Sequence, residues 1–376
     1  MSLRIAAHNG ALAYGGGEKW AVLLLRGLQE RGHEVLLFCN EGGVAARARE
    51  EGVDAEVAVL GGQAMLSDAW RFSRRLRALG PDALLLSTFK KSWLGGMAGR
   101  WAGVPRTVAR IGLDSDLPGK HWTYRWAFRR WVDAVLVNAD GIRRDVLAGM
   151  PGLDARSVAT VYDGVRVPGR DAGAPPLPTR GDARRALGLP ADVPLVGSVT
   201  RFAPQKRLDR FLEMLALLPG VHGVLAGEGE LEPDLRTRAR RLGMDDRVHF
   251  LGWRRDVEAV LGALDVFVVT SDREGMANAM LEAMAAGVPV VSTRVSGAEE
   301  ALATDSEGRA PGLIVPADPR ALAEALSGLL DVRAARLTMG EEGRRRVRER
   351  FGWDAMLDAW EGVLGGGSPA RWHRAW

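Results

Sequence analysis

Residues 265–300 read DVFVVTSDREGMANAMLEAMAAGVPVVSTRVSGAEE, and this stretch decides the fold class. Residues 266–269 form a continuous apolar run rich in valine, which is typical of a strand buried on both faces. A polar break at 271–275 follows. Strong helix formers then fill positions 277–286, and Gly287 is placed where a left-handed residue ends a helix. Because a second apolar run follows, the stretch predicts a strand, helix, strand unit of a parallel α/β sheet.

The loop between this strand and this helix is a candidate anion site, because backbone N–H groups and the helix dipole attract negative charge there. Two carboxylates bracket it, and seven residues separate Glu274 from Glu282. At about 100° per residue, Glu282 lies about two turns deeper on nearly the same side. Either the two carboxylates hold two ends of one extended ligand, or Glu282 is an exposed helix residue and Glu274 a carboxylate favoured by the dipole.

Length and alternation predict two domains of the same class. The chain has 376 residues, enough for two domains that each bury a core. Strand-like runs alternate with helical spacing on both sides of PGRDAGAPPLP at 168–178, which has the composition of a linker. The sequence therefore predicts Rossmann-like, doubly wound domains at 1–168 and 169–350, and a helical tail at 351–376.

Composition narrows the function classes. Charged residues make up 26% and the net charge is 51 − 47 = +4, which permits an anionic partner but does not indicate nucleic acid. The single cysteine, Cys39, excludes an internal disulfide and favours a reducing compartment. We find no apolar run long enough to span a membrane and no signal peptide, so we expect a cytoplasmic protein.

Two further loops are candidate ligand sites. Gly15-Gly16-Gly17-Glu18 lies between the first strand and the first helix, where glycines let a ligand approach the backbone. Its spacing does not match G-x-G-x-x-G, which disfavours a dehydrogenase. The loop TRFAPQKR at 200–207 follows a strand of the second domain. There Arg201 offers a planar fork and Lys206 a point charge, which together suit a diphosphate; the alternative is a solvated basic loop.

These motifs occur together in one known family. The ordered set of Arg201 and Lys206, GEG at 227–229, VHFLG at 248–252, and Glu274 followed by EAMAAGVPVV at 282–291 resembles the retaining glycosyltransferases of family 4, which have the two-domain GT-B fold. The resemblance extends over nearly the whole chain and is densest at 196–300. It implies two domains that face a cleft, with a C-terminal helix that crosses back to the first domain.

The resemblance also implies residue roles. Glu282 would bind the ribose of a nucleotide-sugar, Glu274 the hydroxyls of the transferred sugar, and Arg201 and Lys206 the diphosphate. The rest of the implied donor site comprises backbone amides of Gly16, Gly17, Gly275, Met276 and Ala277, together with Gly227, Trp253 and Arg254. The implied mechanism is front-face attack with retention, in which the leaving phosphate takes up the proton. It needs no cofactor and no metal.

The acceptor side departs from the family pattern. Many relatives have a histidine near the sugar, whereas the matching stretch here, VARIGLD at 108–114, offers Arg110. An arginine cannot serve as a base at neutral pH, so Arg110 is expected to contact a phosphate or an acidic acceptor. If the match is shifted by a few residues, Asp114, Asp116 or His121 takes this place.

The segment PGKHWTYRWAFRRW at 118–131 mixes aromatic and basic residues. On a helix, Tyr124, Phe128 and Trp131 form a stripe suited to a core, while Trp122 and Trp126 lie on another stripe. A basic face that carries tryptophan suits the surface of an anionic membrane. The alternative is a core stripe with solvated arginines.

The sequence thus predicts a glycosyltransferase that acts on a nucleotide-diphosphate-sugar and a glycan, lipid-linked or small-molecule acceptor. One rival is a nucleotide-sugar epimerase of the same fold, which would convert donor without acceptor. A second rival is a non-catalytic protein that binds nucleotide-sugars.

Overall fold

The computed structural model describes residues 2–12, 14–40, 42–60, 65–89, 92–113 and 122–373. It divides into two compact units. Unit 1 comprises Met1–Asp163 and Asp354–Trp376, and unit 2 comprises Gly164–Trp353. Each unit is a parallel sheet covered by helices, so the predicted fold class is confirmed.

Unit 1 has a seven-stranded sheet in the order β3-β2-β1-β4-β5-β6-β7. The strands are β1 (Arg4–Asn9), β2 (Glu34–Cys39), β3 (Ala55–Val57), β4 (Ala83–Leu86), β5 (Arg106–Ile111), β6 (Ala134–Val137) and β7 (Val158–Thr160). The first helices of the chain are α1 (Gly16–Glu30), α2 (Gly43–Glu50), α3 (Met65–Leu79), α4 (Ser92–Ala102), α5 (Trp122–Trp131) and α6 (Asp140–Gly149). The core includes buried aromatic rings of Phe38, Phe72 and Phe128.

Unit 2 has a six-stranded sheet in the order β10-β9-β8-β11-β12-β13. The strands are β8 (Leu195–Val199), β9 (His222–Ala226), β10 (Val248–Gly252), β11 (Val266–Val269), β12 (Val290–Thr293) and β13 (Gly312–Val315). The helices are α7 (Arg180–Ala186), α8 (Leu208–Ala216), α9 (Glu232–Arg241), α10 (Val257–Ala263), α11 (Asn278–Ala286), α12 (Ser296–Ala301), α13 (Pro319–Asp331) and α14 (Arg333–Arg350). Phe202 and Phe211 are fully buried in its core.

The stretch at 265–300 folds as predicted. The four residues of β11 are all buried, as expected for a strand covered on both faces. Helix α11 begins after Ala277 and ends at Gly287, whose φ of 76° is the left-handed conformation that glycine adopts without steric cost. Strand β12 then returns parallel to β11.

Each sheet has a point at which the winding direction reverses, which we call its switch point. In unit 1 it lies between β1 and β4, and in unit 2 between β8 and β11. In open parallel sheets, ligands bind outside the carboxyl ends of the strands at such a point. The residues that follow these four strands are therefore the first candidates for function.

The boundary between the units differs from the predicted one at 168. The chain passes into unit 2 at Gly164, and the proline-rich segment at 168–178 belongs to that unit. The amide of Val165 donates to the carbonyl of Phe351 at 2.9 Å, and Val167 is buried. Prolines and glycines suit surface turns as well as linkers, so composition alone does not distinguish the two.

Helix α14 ends before Phe351, and within the predicted helical tail α15 covers Trp353–Leu364. Helix α15 packs on unit 1, where the rings of Trp20 and Trp360 lie 5.4 Å apart. Arg31 donates to the carboxylates of Asp358 at 2.6 Å and Glu361 at 3.1 Å. The expected return of the C-terminal helix to the first domain is thereby confirmed, and α16 (Pro369–His373) ends the described chain.

Candidate active site

Opposite charges meet at the switch point of unit 2. Lys206 follows β8 and Glu274 follows β11, and the ammonium group of Lys206 contacts Oε1 of Glu274. The hydroxyl of Ser271 donates to the same oxygen at 2.8 Å. The side chains of Lys206 and Glu274 are only 19% and 10% exposed, so water screens the pair weakly. The structure thus brings together Lys206 and Glu274, two of the three side chains predicted to bind the diphosphate and the transferred sugar.

Several hydrogen bonds hold the loops that carry this pair. The amide of Asp272 donates to the carbonyl of Gln205 at 2.9 Å, and the hydroxyl of Thr270 donates to the carbonyl of Lys206 at 2.9 Å. These bonds join the loop after β8 to the loop after β11. The loops that carry Lys206 and Glu274 are therefore hydrogen-bonded to each other.

The N-terminus of α11 lies next to this pair in the chain. Ala277 is the N-cap residue and its side chain makes no cap hydrogen bond. The amide of Met280 donates to the carbonyl of Ala277 at 2.9 Å, whereas the N–H groups at the first positions of a helix have no intrahelical partner and are available to an anion. Oδ1 of Asn278, the first helical residue, is buried and has no hydrogen-bond partner among the described residues. Sequence reasoning missed Asn278, although an amide side chain at a helix start is a recognisable polar signal.

Gly227, Trp253 and Arg254, three more of the predicted donor residues, lie at the same edge of the unit 2 sheet. The amide of Gly227 donates to the carbonyl of Gly252 at 2.7 Å, which joins the loops after β9 and β10. Trp253 is 42% exposed and Arg254 forms an ion pair with Asp256. The amide of Phe202 donates to the carbonyl of Glu228 at 2.8 Å, which joins the β8 loop to the same group.

Arg201 and Glu282 differ in exposure. The side chain of Arg201 is exposed and has no ionic partner among the described residues, so its charge is available. Glu282 is half-buried on α11, one residue beyond the buried Leu281. The structure places both in unit 2, and their roles toward a ligand stay predictions.

A group of three charged residues was not predicted. Asp272 accepts hydrogen bonds from Arg207 at 2.9 Å and from Arg210 at 2.8 Å. Burial disfavours ionisation of Asp272, but the hydrogen bonds and charges of the two arginines outweigh it and lower its pKa. The pKa of Arg207 is raised, chiefly by hydrogen bonds to Asp209 and Asp272. All three residues lie within four positions of Lys206 or Glu274 in the sequence. This clustering of charged residues is a signal that the sequence carries.

The glycine turn of unit 1 requires a correction. Helix α1 begins at Gly16, so Gly16 and Gly17 form its first turn instead of a preceding loop. The amide of Lys19 donates to the carbonyl of Gly15 at 2.9 Å, which is the first bond of this helix. A Cβ at Gly16 or Gly17 would meet no atom within 4 Å in the described structure. Their lack of side chains thus leaves open space at a helix N-terminus, and their contact with a donor stays a prediction.

Neutral groups form the described hydrogen bonds beside the switch point of unit 1. The amide of Gly10 donates to the hydroxyl of Thr88 at 2.9 Å, and Asn40 donates to the carbonyl of Gly10 at 3.0 Å. Nε2 of His8 lies 3.1 Å from the carbonyl of Ala58, and this geometry requires the nitrogen to carry the proton. Burial lowers the pKa of His8 from 6.5 to about 4, so the ring is neutral at pH 7.

The guanidinium of Arg110 is buried in unit 1, and its contact with a phosphate or an acidic acceptor stays a prediction. It donates to both carboxylate oxygens of Asp163, at 2.8 and 3.0 Å, and lies 3.7 Å from the ring centroid of Trp20. Asn138 also donates to Asp163, at 2.9 Å. Arg110 and Asp163 are both buried, so the charge serves an internal ion pair. Asp114, Asp116 and His121 lie outside the described residues.

In the part of the chain that the structure describes, no group of three or more His, Cys, Asp or Glu side chains is arranged to hold a metal ion. Burial raises the pKa of the Cys39 thiol to about 11, as expected for a buried, inert cysteine. Within the same residues, no helix combines the length and the apolar character that a membrane crossing requires.

Two family sequence models match the chain. The model described as Glycosyltransferase Family 4 matches residues 14–167, and the model described as Glycosyl transferases group 1 matches residues 193–332. The first match lies in the N-terminal sheet and the second in the C-terminal sheet. The chain belongs to the group 1 and family 4 glycosyltransferases. The family resemblance read from the motifs is confirmed.

Individual proteins support this assignment. The chain is 37% identical to the lipopolysaccharide core biosynthesis glycosyltransferase LpsE of Rhizobium meliloti over 48% of its own length and 52% of LpsE, so it spans about half of that relative. It is 27% identical to LpsD of the same organism, over 92% of this chain and 94% of LpsD. The structure of Anabaena Alr3699/HepE in complex with UDP and glucose superimposes with a TM-score of 0.81 at 20% identity, covering 97% of this chain and 100% of HepE. This likeness shows the GT-B fold.

Proposed function

We propose that this protein transfers a sugar from a nucleoside-diphosphate-sugar to a hydroxyl group of a glycan, a lipid-linked glycan or a small molecule, and that the anomeric configuration is retained. One observation carries the proposal: Lys206 contacts Glu274 at the switch point of unit 2, beside the uncapped N-terminus of α11. A cation and free amides suit a leaving phosphate, and a carboxylate suits sugar hydroxyls.

Each of these side chains keeps capacity for a ligand. The ammonium group of Lys206 has three donors, and Glu274 takes one of them. Glu274 accepts from Lys206 and Ser271 through one oxygen, which leaves Oε2 for a sugar hydroxyl. In this proposal Lys206 and the exposed Arg201 bind the diphosphate, and Glu282 binds the ribose. The base would lie along the loop that carries Trp253.

The proposed chemistry draws its positive charge from the protein. As the bond to the sugar breaks, charge grows on the phosphate, and the fixed cation and amides stabilise it without reorganisation. Glu274 is held by a lysine and a serine, which favours a sugar contact over a nucleophilic role. The acceptor then attacks from the face that the phosphate leaves, and the phosphate takes the proton. We expect the rate of nucleoside diphosphate release to be unchanged in excess EDTA.

The names of the relatives support an envelope glycan as acceptor. LpsE and LpsD carry the description lipopolysaccharide core biosynthesis, and HepE was solved with UDP and glucose. A thermal-shift screen of UDP, GDP and ADP and their sugars would identify the donor, because a bound ligand raises the melting temperature by mass action. Release of the nucleoside diphosphate should then require an acceptor. Conversion of donor without acceptor and without such release would favour the epimerase instead, and binding without any conversion would favour a non-catalytic protein.

The proposal includes contact of unit 1 with an anionic membrane surface, consistent with a cytoplasmic protein that meets a lipid-linked acceptor. Trp122 and Trp126 of α5 are 63% and 49% exposed, whereas Phe128 is fully buried, as the two stripes predicted. On α3, Leu66 and Trp70 are also more than half exposed. Exposed tryptophans near arginines suit the interface of an anionic bilayer.

Sedimentation with vesicles tests this contact. The wild type should sediment with phosphatidylglycerol vesicles and not with phosphatidylcholine vesicles, and Trp122→Ser with Trp126→Ser should abolish sedimentation. Leu217→Ser removes an exposed apolar residue of unit 2 and serves as the matched control. A wild type that ignores anionic vesicles would contradict the proposed contact.

A further inference from the structure

The backbone directly after Lys206 is held in an unusual conformation. Arg207 has a φ of 49° and a ψ of 47°, and it is the one non-glycine residue with positive φ in the described chain. A side chain disfavours this left-handed region because its Cβ crowds the backbone. Such strain persists where the surroundings impose it, and it concentrates at functional sites. Here the turn joins the short helix that carries Lys206 to the start of α8.

The side chain of Arg207 anchors this turn to the opposite loop. Its guanidinium donates to Asp272 at 2.9 Å, across 65 residues of sequence. It also contacts Asp209, two positions later in the chain, at 3.0 Å. Of these two partners only Asp272 belongs to the loop that carries Glu274.

Arg210 makes a second connection to the same loop. Its side chain is 7% exposed, and its two terminal nitrogens donate to the carbonyl of Thr270 at 2.6 Å and to Asp272 at 2.8 Å. Burying a guanidinium without an anion costs free energy, so the buried Arg210 needs the carboxylate of Asp272 beside it. The carboxylate of Asp272 therefore gives one oxygen to each arginine.

We propose that Asp272 is a positioning residue, which acts through Arg207 and Arg210 to hold Lys206 at the distance from Glu274 that the leaving diphosphate requires. The inference rests on the proposed function. Both carboxylate oxygens of Asp272 accept hydrogen bonds from the arginines. Asp272 therefore affects turnover through the position of Lys206. Loss of the Asp272 charge would let the two loops separate and would lower the rate at which the phosphate leaves more than the affinity for the donor.

A double-mutant cycle tests this coupling. Asp272→Asn should lower kcat for nucleoside diphosphate release about tenfold, while KM for the donor changes less than threefold. In a Lys206→Ala background, Asp272→Asn should lower kcat less than twofold further, because the group that it positions is absent. Glu213→Gln breaks an exposed ion pair with Arg238 in the same unit and should leave kcat unchanged.

A second variant guards against loss of folding. Arg207→Gly keeps the left-handed turn available but removes the guanidinium, so it should reproduce the kcat effect of Asp272→Asn. Hydrogen exchange measured by mass spectrometry should show faster exchange at 204–207 and 270–274 in both variants, because the amide of Asp272 is bonded to Gln205 across these loops.

The outcomes separate the positioning role from the proposed function. Additive losses in the cycle, or faster exchange with unchanged kcat, would overturn the positioning role while wild-type turnover upholds the proposed function. Wild-type protein that releases no nucleoside diphosphate with any donor and acceptor would overturn the proposed function and this role together.

Discussion

At the switch point of unit 2 a lysine meets a glutamate, whereas the described hydrogen bonds beside the switch point of unit 1 join neutral groups of Gly10, Asn40 and Thr88. The two sheets reverse their winding in the same way at these points. The backbone topology therefore does not dictate the chemistry. Loop residues do, since the strands position the loops and the loops carry the charged groups.

The ion pairs of the two units also differ in burial and in the groups that surround them. Arg110 and Asp163 of unit 1 have exposures of 8% and 2%, and Trp20 covers the guanidinium. Lys206 and Glu274 of unit 2 are partly open and lie beside free helix amides. The comparison indicates that the more buried ion pair, which a tryptophan covers, supports the fold, and that the more exposed pair beside a helix N-terminus is available to a ligand.

The largest expected effect concerns the buried pair. Arg110→Met should lower the free energy of unfolding by about 3–5 kcal/mol, because Asp163 would stay buried without its cation. Denaturant titration followed by tryptophan fluorescence would measure this, since Trp20 lies against Arg110. Lys206→Met is the matched substitution in unit 2 and should cost less, because Lys206 is more exposed than Arg110 and the hydroxyl of Ser271 still donates to Glu274. Equal costs at the two pairs would break the comparison.

The next largest effect concerns turnover. Glu274→Ala should lower kcat about 100–1000-fold while the affinity for the nucleoside diphosphate stays within about threefold, because the sugar contact is lost and the phosphate contacts remain. Steady-state assays of diphosphate release and calorimetric titration would measure the two quantities. A loss of nucleotide affinity as large as the loss of kcat would show that Glu274 does not act at the sugar end.

The stability of unit 1 should depend on pH through His8. Burial lowers the pKa of His8 to about 4 in the folded protein, against 6.5 as the ordinary value. The unfolded chain therefore binds a proton first as pH falls, so the stability from this group is present above pH 6.5 and is lost toward pH 4. Between pH 7.5 and 5 the free energy of unfolding of the wild type, measured by urea titration, should fall by about 2 kcal/mol more than that of His8→Gln. Equal decreases in the two proteins would mean that His8 takes up a proton in the folded state over this pH range.

The smallest effect concerns the ribose end. Glu282→Ala should raise the dissociation constant of the nucleoside diphosphate about tenfold, because one charge-assisted hydrogen bond is lost. At saturating donor, kcat should stay within about threefold. Glu324→Ala on α13 is a matched helical carboxylate outside the site. If both variants bind equally well, Glu282 does not contact the nucleotide.

Local patterns in the sequence predicted most of the fold. The valine run, the helix formers and Gly287 located β11 and α11 because each of these signals depends on neighbouring residues. The same reasoning placed the start of α1 too late, because three glycines resemble a loop, although the helix begins within them. Composition suggested a linker at 168–178, and the structure places this segment within unit 2.

The site was predicted where a motif named its residues, and it was missed where partners are distant in sequence. Lys206 and Glu274 were identified, but the pairing of Arg110 with Asp163 joins positions 53 residues apart and has no local signal. The left-handed turn at Arg207 was equally invisible, since arginine seldom adopts that conformation. Non-local contacts of this kind depend on the packed structure, which one sequence does not contain.

The diphosphate site at the unit 2 switch point is tested most directly by calorimetric titration with a nucleoside and with its diphosphate, using the base that the thermal-shift screen selects. In the wild type, the diphosphate should raise affinity about 100-fold or more over the nucleoside, through charge-assisted hydrogen bonds. In Arg201→Ala with Lys206→Ala this gain should fall below about tenfold. Arg236→Ala, which breaks an exposed pair with Glu232 in the same unit, should keep the full gain. An unchanged gain in the double variant would contradict the assignment of the phosphate to this switch point.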